Sequence, residues 1–305
     1  MSSRAEALTT SRTVEAVENK MPVSRWFREL GWRHLVGLVG VLFALYPVAW
    51  IVSAAFNSVQ SLVSARLIPR SLTTENFTSL FGNATTPFAR WIGNSYKVAL
   101  TAAIINVLLA SLAAYAFSRM RFRGRRMGLL ALLLVQVFPQ FLGFIALFLL
   151  AQQIGEVFPQ AGLGTHLFLI MVYLGGAIGF NAFLIKGFMD TIPASLDESA
   201  RVDGAGPFQI FWSVVFPLAR PVLAVIFIIT FTNLFAEYIL ASTLITSTAN
   251  YTMPVGLQLF VSSDYSAKWG NLAAAALIGA APIVATFLIA QKQIIGGLTT
   301  GAVKG

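Results

Sequence analysis

Apolar residues fall into six long, nearly uncharged runs, and the polar connections between them hold most of the charge. The first run, residues 35–56, has 22 residues without a charge, enough to cross a hydrocarbon core of about 30 Å as a helix. Five more follow at 98–117, 127–151, 167–185, 221–244 (interrupted by Glu237) and 272–290. The pattern predicts six membrane-spanning helices in an all-α integral membrane protein. Pro139 predicts a kink in the third, where freed carbonyls need partners from neighbouring helices. Gly175, Gly176 and Gly179 in the fourth permit close helix approach. Before the first run, Trp26, Phe27, Leu30 and Trp32 alternate with Arg25, Arg28 and Arg33, as in a short helix at the headgroup level. The polar lead is longer than that of a secretory signal peptide, so the first run reads as a permanent anchor. Three regions result: 1–34 with its interfacial helix, 35–294 with the spans, and a 295–305 tail.

The longest interior polar stretch, 190–217, lies between the fourth and fifth runs and has its own punctuation. Ser195 and Glu198 have the spacing of a capping box, and Asp197 and Glu198 suit the positive end of a helix. Gly204 and Gly206 supply a stop, and Pro207 fits the first turn of a second helix. The expectation is a short helix, a sharp turn and another short helix between two spans, an element that a soluble partner can grip. The alternative is a hairpin that only closes a membrane loop.

Charge orients this layout. Only 11% of residues are charged, against roughly a quarter in soluble domains. The net charge of +9 does not indicate nucleic acid, because the basic residues follow the positive-inside rule. Sixteen of the 21 Lys and Arg fall before the first run, between the second and third, around 190–217 and in the tail. The other side has Arg66, Arg70, Arg90, Lys97 and Lys268. Both termini and the 190–217 stretch are therefore expected in the cytoplasm. With no cysteine and two separated histidines, His34 and His166, a thiolate or clustered metal site is not expected. The sequence has no G-x-x-x-x-G-K-[ST], so ATP is not held here by a P-loop. It shows no catalytic triad or paired carboxylates within one run either, and no enzyme activity is expected.

Glu198-Ser199-Ala200-Arg201-Val202-Asp203-Gly204, with Val214, Phe216 and Pro217 at set offsets, resembles the cytoplasmic "EAA" loop of permease subunits of ATP-binding-cassette (ABC) importers. Ser199 replaces the first alanine, and Val214 and Phe216 replace Ile and Leu. The resemblance implies an ABC type I importer permease of six spans whose coupling helix docks on a separate ATPase through Ser195, Glu198, Ala200, Asp203, Gly204, Ala205 and Pro217. The 250–258 stretch, the later Trp269-Gly270-Asn271-Leu272 and the glycine-rich tail are similar to the G-subunit permeases of maltose/maltodextrin importers. That likeness implies a loop probing an external sugar-binding protein (Asn250, Tyr251, Thr252, Gly256, Gln258) and a tail contact with the ATPase dimer (Gly301, Lys304, Gly305). It also implies a second homologous permease, ATP and Mg bound by the ATPase and not by this chain, and multi-pass residence in a bacterial plasma membrane. Maltose or maltodextrin is the expected cargo. Trehalose, another oligosaccharide or glycerol phosphate remains open.

Four polar residues inside the runs are pathway or gate candidates. Glu237 is an intramembrane carboxylate, and Asn233 lies one turn before it. Gln136 and Gln140 flank Pro139. Together with Asn106, the two glutamines line a sugar path or bond between helices. Two other classes fit the composition: a secondary transporter, which would place coupling carboxylates near the midplane of inverted repeats, and a structural subunit of a membrane complex.

Overall fold

The computed structural model describes residues 27–59, 67–69, 71–82, 86–137, 139–261 and 268–302, apart from the side chains of Arg28, Gln140, Ala177 and 292–302. The chain divides into two units, Met1–Trp50 and Ile51–Gly305. In the described part of the first, a π-helical turn, Phe27–Gly31, leads into helix α1 (Trp32–Ala55). The Arg33 guanidinium stands 5.6 Å from the centre of the Trp32 ring, a cation–π contact suited to the headgroup level. Trp26 lies outside the described residues.

Among the described residues of the second unit the regular structure is helical, with turns and irregular segments between helices and an isolated antiparallel bridge, Asn57 to Leu72. Its helices are α2 (Glu75–Phe81), α3 (Phe88–Arg119), α4 (Arg125–Val137), α5 (Phe144–Val157), α6 (His166–Met189), α7 (Ala194–Val202), α8 (Pro207–Ile210), α9 (Phe216–Phe235), α10 (Ile239–Leu244), α11 (Met253–Gln258) and α12 (Trp269–Ala302). A π-helical turn, Phe211–Val215, joins α8 to α9. Four segments are each long and apolar enough to cross a membrane: Glu29–Ala55, Phe88–Arg119, Pro207–Phe235 and Trp269–Gln291. Two more spans appear only as bent pairs, Arg125–Val137 with Phe141–Val157 at 79° and His166–Gly176 with Ile178–Met189 at 48°.

The breaks have local causes. Pro139 has no N–H to donate and holds φ at −64°, and a 3-10 turn, Gln140–Gly143, restarts the chain beyond it. The expected kink is thus a full break. The bend in α6 falls between Gly176 and Ile178, just after the Gly175–Gly176 pair. Of the glycines expected to admit a neighbour, Gly179 does so: a Cβ there would lie 3.0 Å from the Leu132 carbonyl of α4. Gly175 faces open space.

The second run starts earlier than hydropathy alone indicates. Phe88, Trp91, Ser95 and Val98 form a buried stripe at helical spacing, while Arg90 and Lys97 stay exposed on the other side, so the helix extends past the apolar limit. Small buried residues continue that stripe through Ala99, Ala102, Ala103, Asn106, Ala110 and Ala114, which lets α3 lie against α6 and α9. α12 packs on α9 from another side, with Ala273, Ala274 and Ala275 buried.

Candidate functional site

The 190–217 stretch forms the helix–turn–helix that its punctuation predicts. α7 ends in a Schellman arrangement: Gly204 has φ +85° and donates its N–H to the Arg201 carbonyl at 3.0 Å, and the Ala205 N–H donates to the Ala200 carbonyl at 2.9 Å. Pro207 opens α8 in its first turn. The start of α7 differs from expectation. Pro193, locked at φ −56°, is the capping residue, so the helix begins at Ala194 and Ser195 lies inside the first turn. The Ser195–Glu198 box does not form; the Ser195 carbonyl accepts from Ser199 Oγ at 2.9 Å instead.

α7 has two faces. Ser195, Glu198, Asp203 and Gly204 are exposed, as are the apolar Leu196 and Phe208, and Val202 is 89% exposed. Ala200 and Ala205 pack against a core that includes Ile192, Phe211 and Val215, and Pro217 is half-buried at the entry to α9.

Asp197 turns inward, and sequence reasoning missed its role. Its carboxylate is 2% exposed, with Oδ2 2.9 Å from Arg119 Nε at the end of α3. The Nε–H does not point along that line, so the contact is held by charge and not by a linear hydrogen bond. Asp197 Oδ1 has no hydrogen-bond partner among the described residues. Arg119 Nη2 donates to the Ile192 carbonyl at 2.7 Å, and Tyr115 Oη to the Pro207 carbonyl at 3.0 Å. Ser118 Oγ donates to Asp190 Oδ1 at 2.6 Å, and Lys186 Nζ to Asp190 Oδ2. The last turn of α3 therefore braces both arms of the hairpin. Partial burial opposes ionisation of Asp190, but the bonds from Lys186 and Ser118 and the charges of Lys186 and Arg125 outweigh it, holding the carboxyl below its ordinary value. With a depressed folded pKa, the contribution of Asp190 is complete above the ordinary carboxylate range and is lost only as pH falls below it. The clue was available in sequence: Arg119 closes an apolar run, and Asp197 lies at helical spacing from Ala200 and Arg201.

The pathway candidates separate into two places. Gln136 and Asn233 line a cavity of about 300 Å³ together with Phe180, Asn181 and Thr230. Glu237 is elsewhere, because α9 ends at Phe235 and the chain turns before α10. The Glu237 carboxylate accepts the Leu240 N–H at 2.7 Å, the Ala241 N–H at 3.0 Å and Tyr173 Oη at 2.6 Å. It caps α10 and ties it to α6. The side chain of Gln140 lies outside the described residues. Asn106, fully buried, bonds between helices, accepting from Asn181 Nδ2 at 2.6 Å.

The 250–258 stretch is fastened to its own chain. Trp91 Nε1 donates to the Thr248 carbonyl at 2.8 Å, and Asn94 Nδ2 to the Ala249 and Tyr251 carbonyls at 3.0 and 2.9 Å. Asn250 Nδ2 donates to the Gly164 carbonyl at 3.0 Å, and the Met253 N–H to Ser95 Oγ at 2.7 Å. Thr252 and Gly256 are buried, Asn250 and Tyr251 are half-buried, and Gln258 is exposed and accepts from Tyr238 Oη. A Cβ on Gly256 would meet Trp91 Cε3 at 2.2 Å, and that ring is enclosed on all sides. Gly256→Ala is therefore expected to overpack this end by about 1–3 kcal/mol. An unchanged unfolding temperature for the purified variant would contradict that packing. Gly301 lies in the last turn of α12; Lys304 and Gly305 lie outside the described residues.

These features agree with three comparisons. Residues 106–295 match the family described as binding-protein-dependent transport system inner membrane component. The galactooligosaccharides transport system permease protein GanQ of Bacillus subtilis (strain 168) is 38% identical over 286 residues, spanning 93% of this chain and 99% of that protein. The maltose/maltodextrin transport system permease protein MalG of Escherichia coli (strain K12) is 37% identical over 283 residues, spanning 89% and 95%. Among solved structures, a bacterial ABC transporter involved in import of the acidic polysaccharide alginate superposes with a TM-score of 0.71 at 25% identity, covering 88% of this chain and 97% of that one. With four spanning helices, two bent helix pairs and a braced hairpin between α6 and α9, the chain belongs to the binding-protein-dependent inner membrane transport components, and it is a multi-pass permease subunit of an ABC sugar importer, not an enzyme.

Proposed function

We propose that the chain is one permease half of an ATP-driven importer and that α7 is the lever on which a cytoplasmic ATPase acts. In this reading both termini and the hairpin are cytoplasmic, as the placement of the basic residues supports. A second homologous permease completes the pathway, a dimeric ATPase binds ATP and Mg, and an external binding protein delivers the sugar. The observation that carries the reading is the two-sided hairpin. Its outer face offers Glu198, Asp203 and the bare apolar side chains of Leu196, Val202 and Phe208. Its inner face is locked to α3 by Asp197 and Arg119. An exposed apolar cluster rimmed by charge is the mark of an interaction surface, and the buried ion pair gives any push on it a route into a span. Gln136 and Asn233 belong to the pathway, with Asn250, Tyr251 and Gln258 at its external end and the tail after Gly301 at the ATPase.

The cargo is a maltodextrin or, as the likeness to GanQ favours, a galactooligosaccharide. Calorimetry on the external binding protein with each sugar decides between them. The lever itself is tested at Gly204. Gly204→Val forces a branched side chain into φ +85°, at a cost of about 1–2 kcal/mol. The spans are expected to remain inserted while the yield of co-purified ATPase falls severalfold. Full co-purification counts against the lever.

A further inference from the structure

We propose that the cavity between α4, α6 and α9 is a binding subsite for the hydroxyl groups of a neutral saccharide, carried by this chain itself. It rests on the reading of the chain as half of a sugar pathway. Asn181 is the fixed point. Although 8% exposed, it lines the cavity, and its Nδ2 donates to Asn106 Oδ1 at 2.6 Å and to Thr230 Oγ1 at 3.0 Å. Both donor directions of the amide are thereby taken, and its carbonyl oxygen has no hydrogen-bond partner among the described residues. Asn106 acts as a positioning residue, since its oxygen sets the rotamer of Asn181 from behind. The side chains of Gln136 and Asn233 also line the cavity and make no hydrogen bond among the described residues. Phe180 adds a half-exposed ring.

Packing alone does not account for this arrangement. Polar side chains that serve only to join helices pair with one another, as Asn181 Nδ2 does with Asn106 Oδ1 and Thr230 Oγ1, although Asn106 Nδ2 has no hydrogen-bond partner among the described residues. Unpaired amides facing hydrocarbon would each cost on the order of 1–3 kcal/mol. What matches the cavity is a ligand that both donates and accepts hydrogen bonds at several points, and a sugar ring does so with every hydroxyl. None of the residues lining the cavity is charged, so a uronate or a phosphate would enter without a counter-charge. A volume of about 300 Å³ is at the low end of small-molecule sites and accommodates a short saccharide segment.

The test uses the whole importer in proteoliposomes with its own binding protein and measures radiolabelled maltotriose or galactotriose taken up per ATP hydrolysed. Gln136→Leu and Asn233→Leu remove side chains that make no hydrogen bond among the described residues and keep a side chain of similar size, so both complexes should assemble. Each is expected to lower the sugar-to-ATP ratio about tenfold, because the motor turns while the saccharide is not retained. An unchanged ratio overturns the subsite. A parallel fall of uptake, hydrolysis and assembly overturns it too, because it would assign the amides to holding the helices together. No nucleotide-driven uptake by the unsubstituted complex is a different failure, and it removes the importer reading on which the subsite rests.

Discussion

Arg119→Ala is expected to uncouple the hairpin from the bundle. The substitution leaves Asp197 as a buried carboxylate with no counter-charge and one oxygen already without a partner, and breaking such a pair costs about 3–5 kcal/mol. The loss is local, since Arg119 also holds the Ile192 carbonyl and so both ends of the 190–197 connection. Amide exchange over 190–205 should rise by orders of magnitude, with little change in α3 above Tyr115. ATP hydrolysis by the complex should persist while sugar uptake is lost. Asp197→Leu combined with Arg119→Met removes both charges at similar volume and is expected to recover most of the stability. If Arg119→Ala alone leaves exchange and uptake unaltered, the ion pair is not the brace.

Glu237→Leu ranks second in expected effect. It removes the acceptor for two backbone N–H groups at the start of α10 and for the Tyr173 hydroxyl, in half-buried surroundings. Donors stranded in this way cost about 1–3 kcal/mol each, so about 3 kcal/mol or more is at stake. The intramembrane acid invited a reading as a pathway or gate residue. Its hydrogen bonds predict instead that the complex becomes thermolabile, with α10 detached from α6. Glu237→Gln keeps an acceptor for the backbone and should restore much of the melting temperature. A leucine variant as heat-stable as the parent would contradict the capping role.

The six spans were legible in the sequence because each is a run of apolar residues of bilayer length, and this is the signal that survives without context. The turn at Gly204 and the start at Pro207 were legible for the same local reason, since few residues tolerate those backbone positions. What was lost depended on partners distant in the chain. Ser195 and Glu198 have capping spacing, but Pro193 takes the cap and turns Asp197 toward an arginine 78 positions earlier. Asn233 and Glu237 are one turn apart on an unbroken helix, and the break after Phe235 sends them to different places. The 250–258 stretch was legible only through its family likeness, and its fastening by Trp91 and Asn94 through main-chain carbonyls was not, because those partners lie 155 to 157 positions away. Asn181, the fixed point of the cavity, passed unnoticed because a lone asparagine in an apolar run has no pattern around it.

The lever claim is most directly tested by site-directed cross-linking in membranes containing the complete complex. The chain has no cysteine, so a single introduced one reports without background. Val202→Cys and Glu198→Cys, both on the exposed face of α7, are expected to cross-link to a nucleotide-hydrolysing subunit, with yields that change when ATP is added. Val215→Cys, fully buried behind the hairpin, is expected to give no such product. Absence of any cross-link from positions 198 and 202 to an ATPase, in membranes that still take up sugar, would contradict the account.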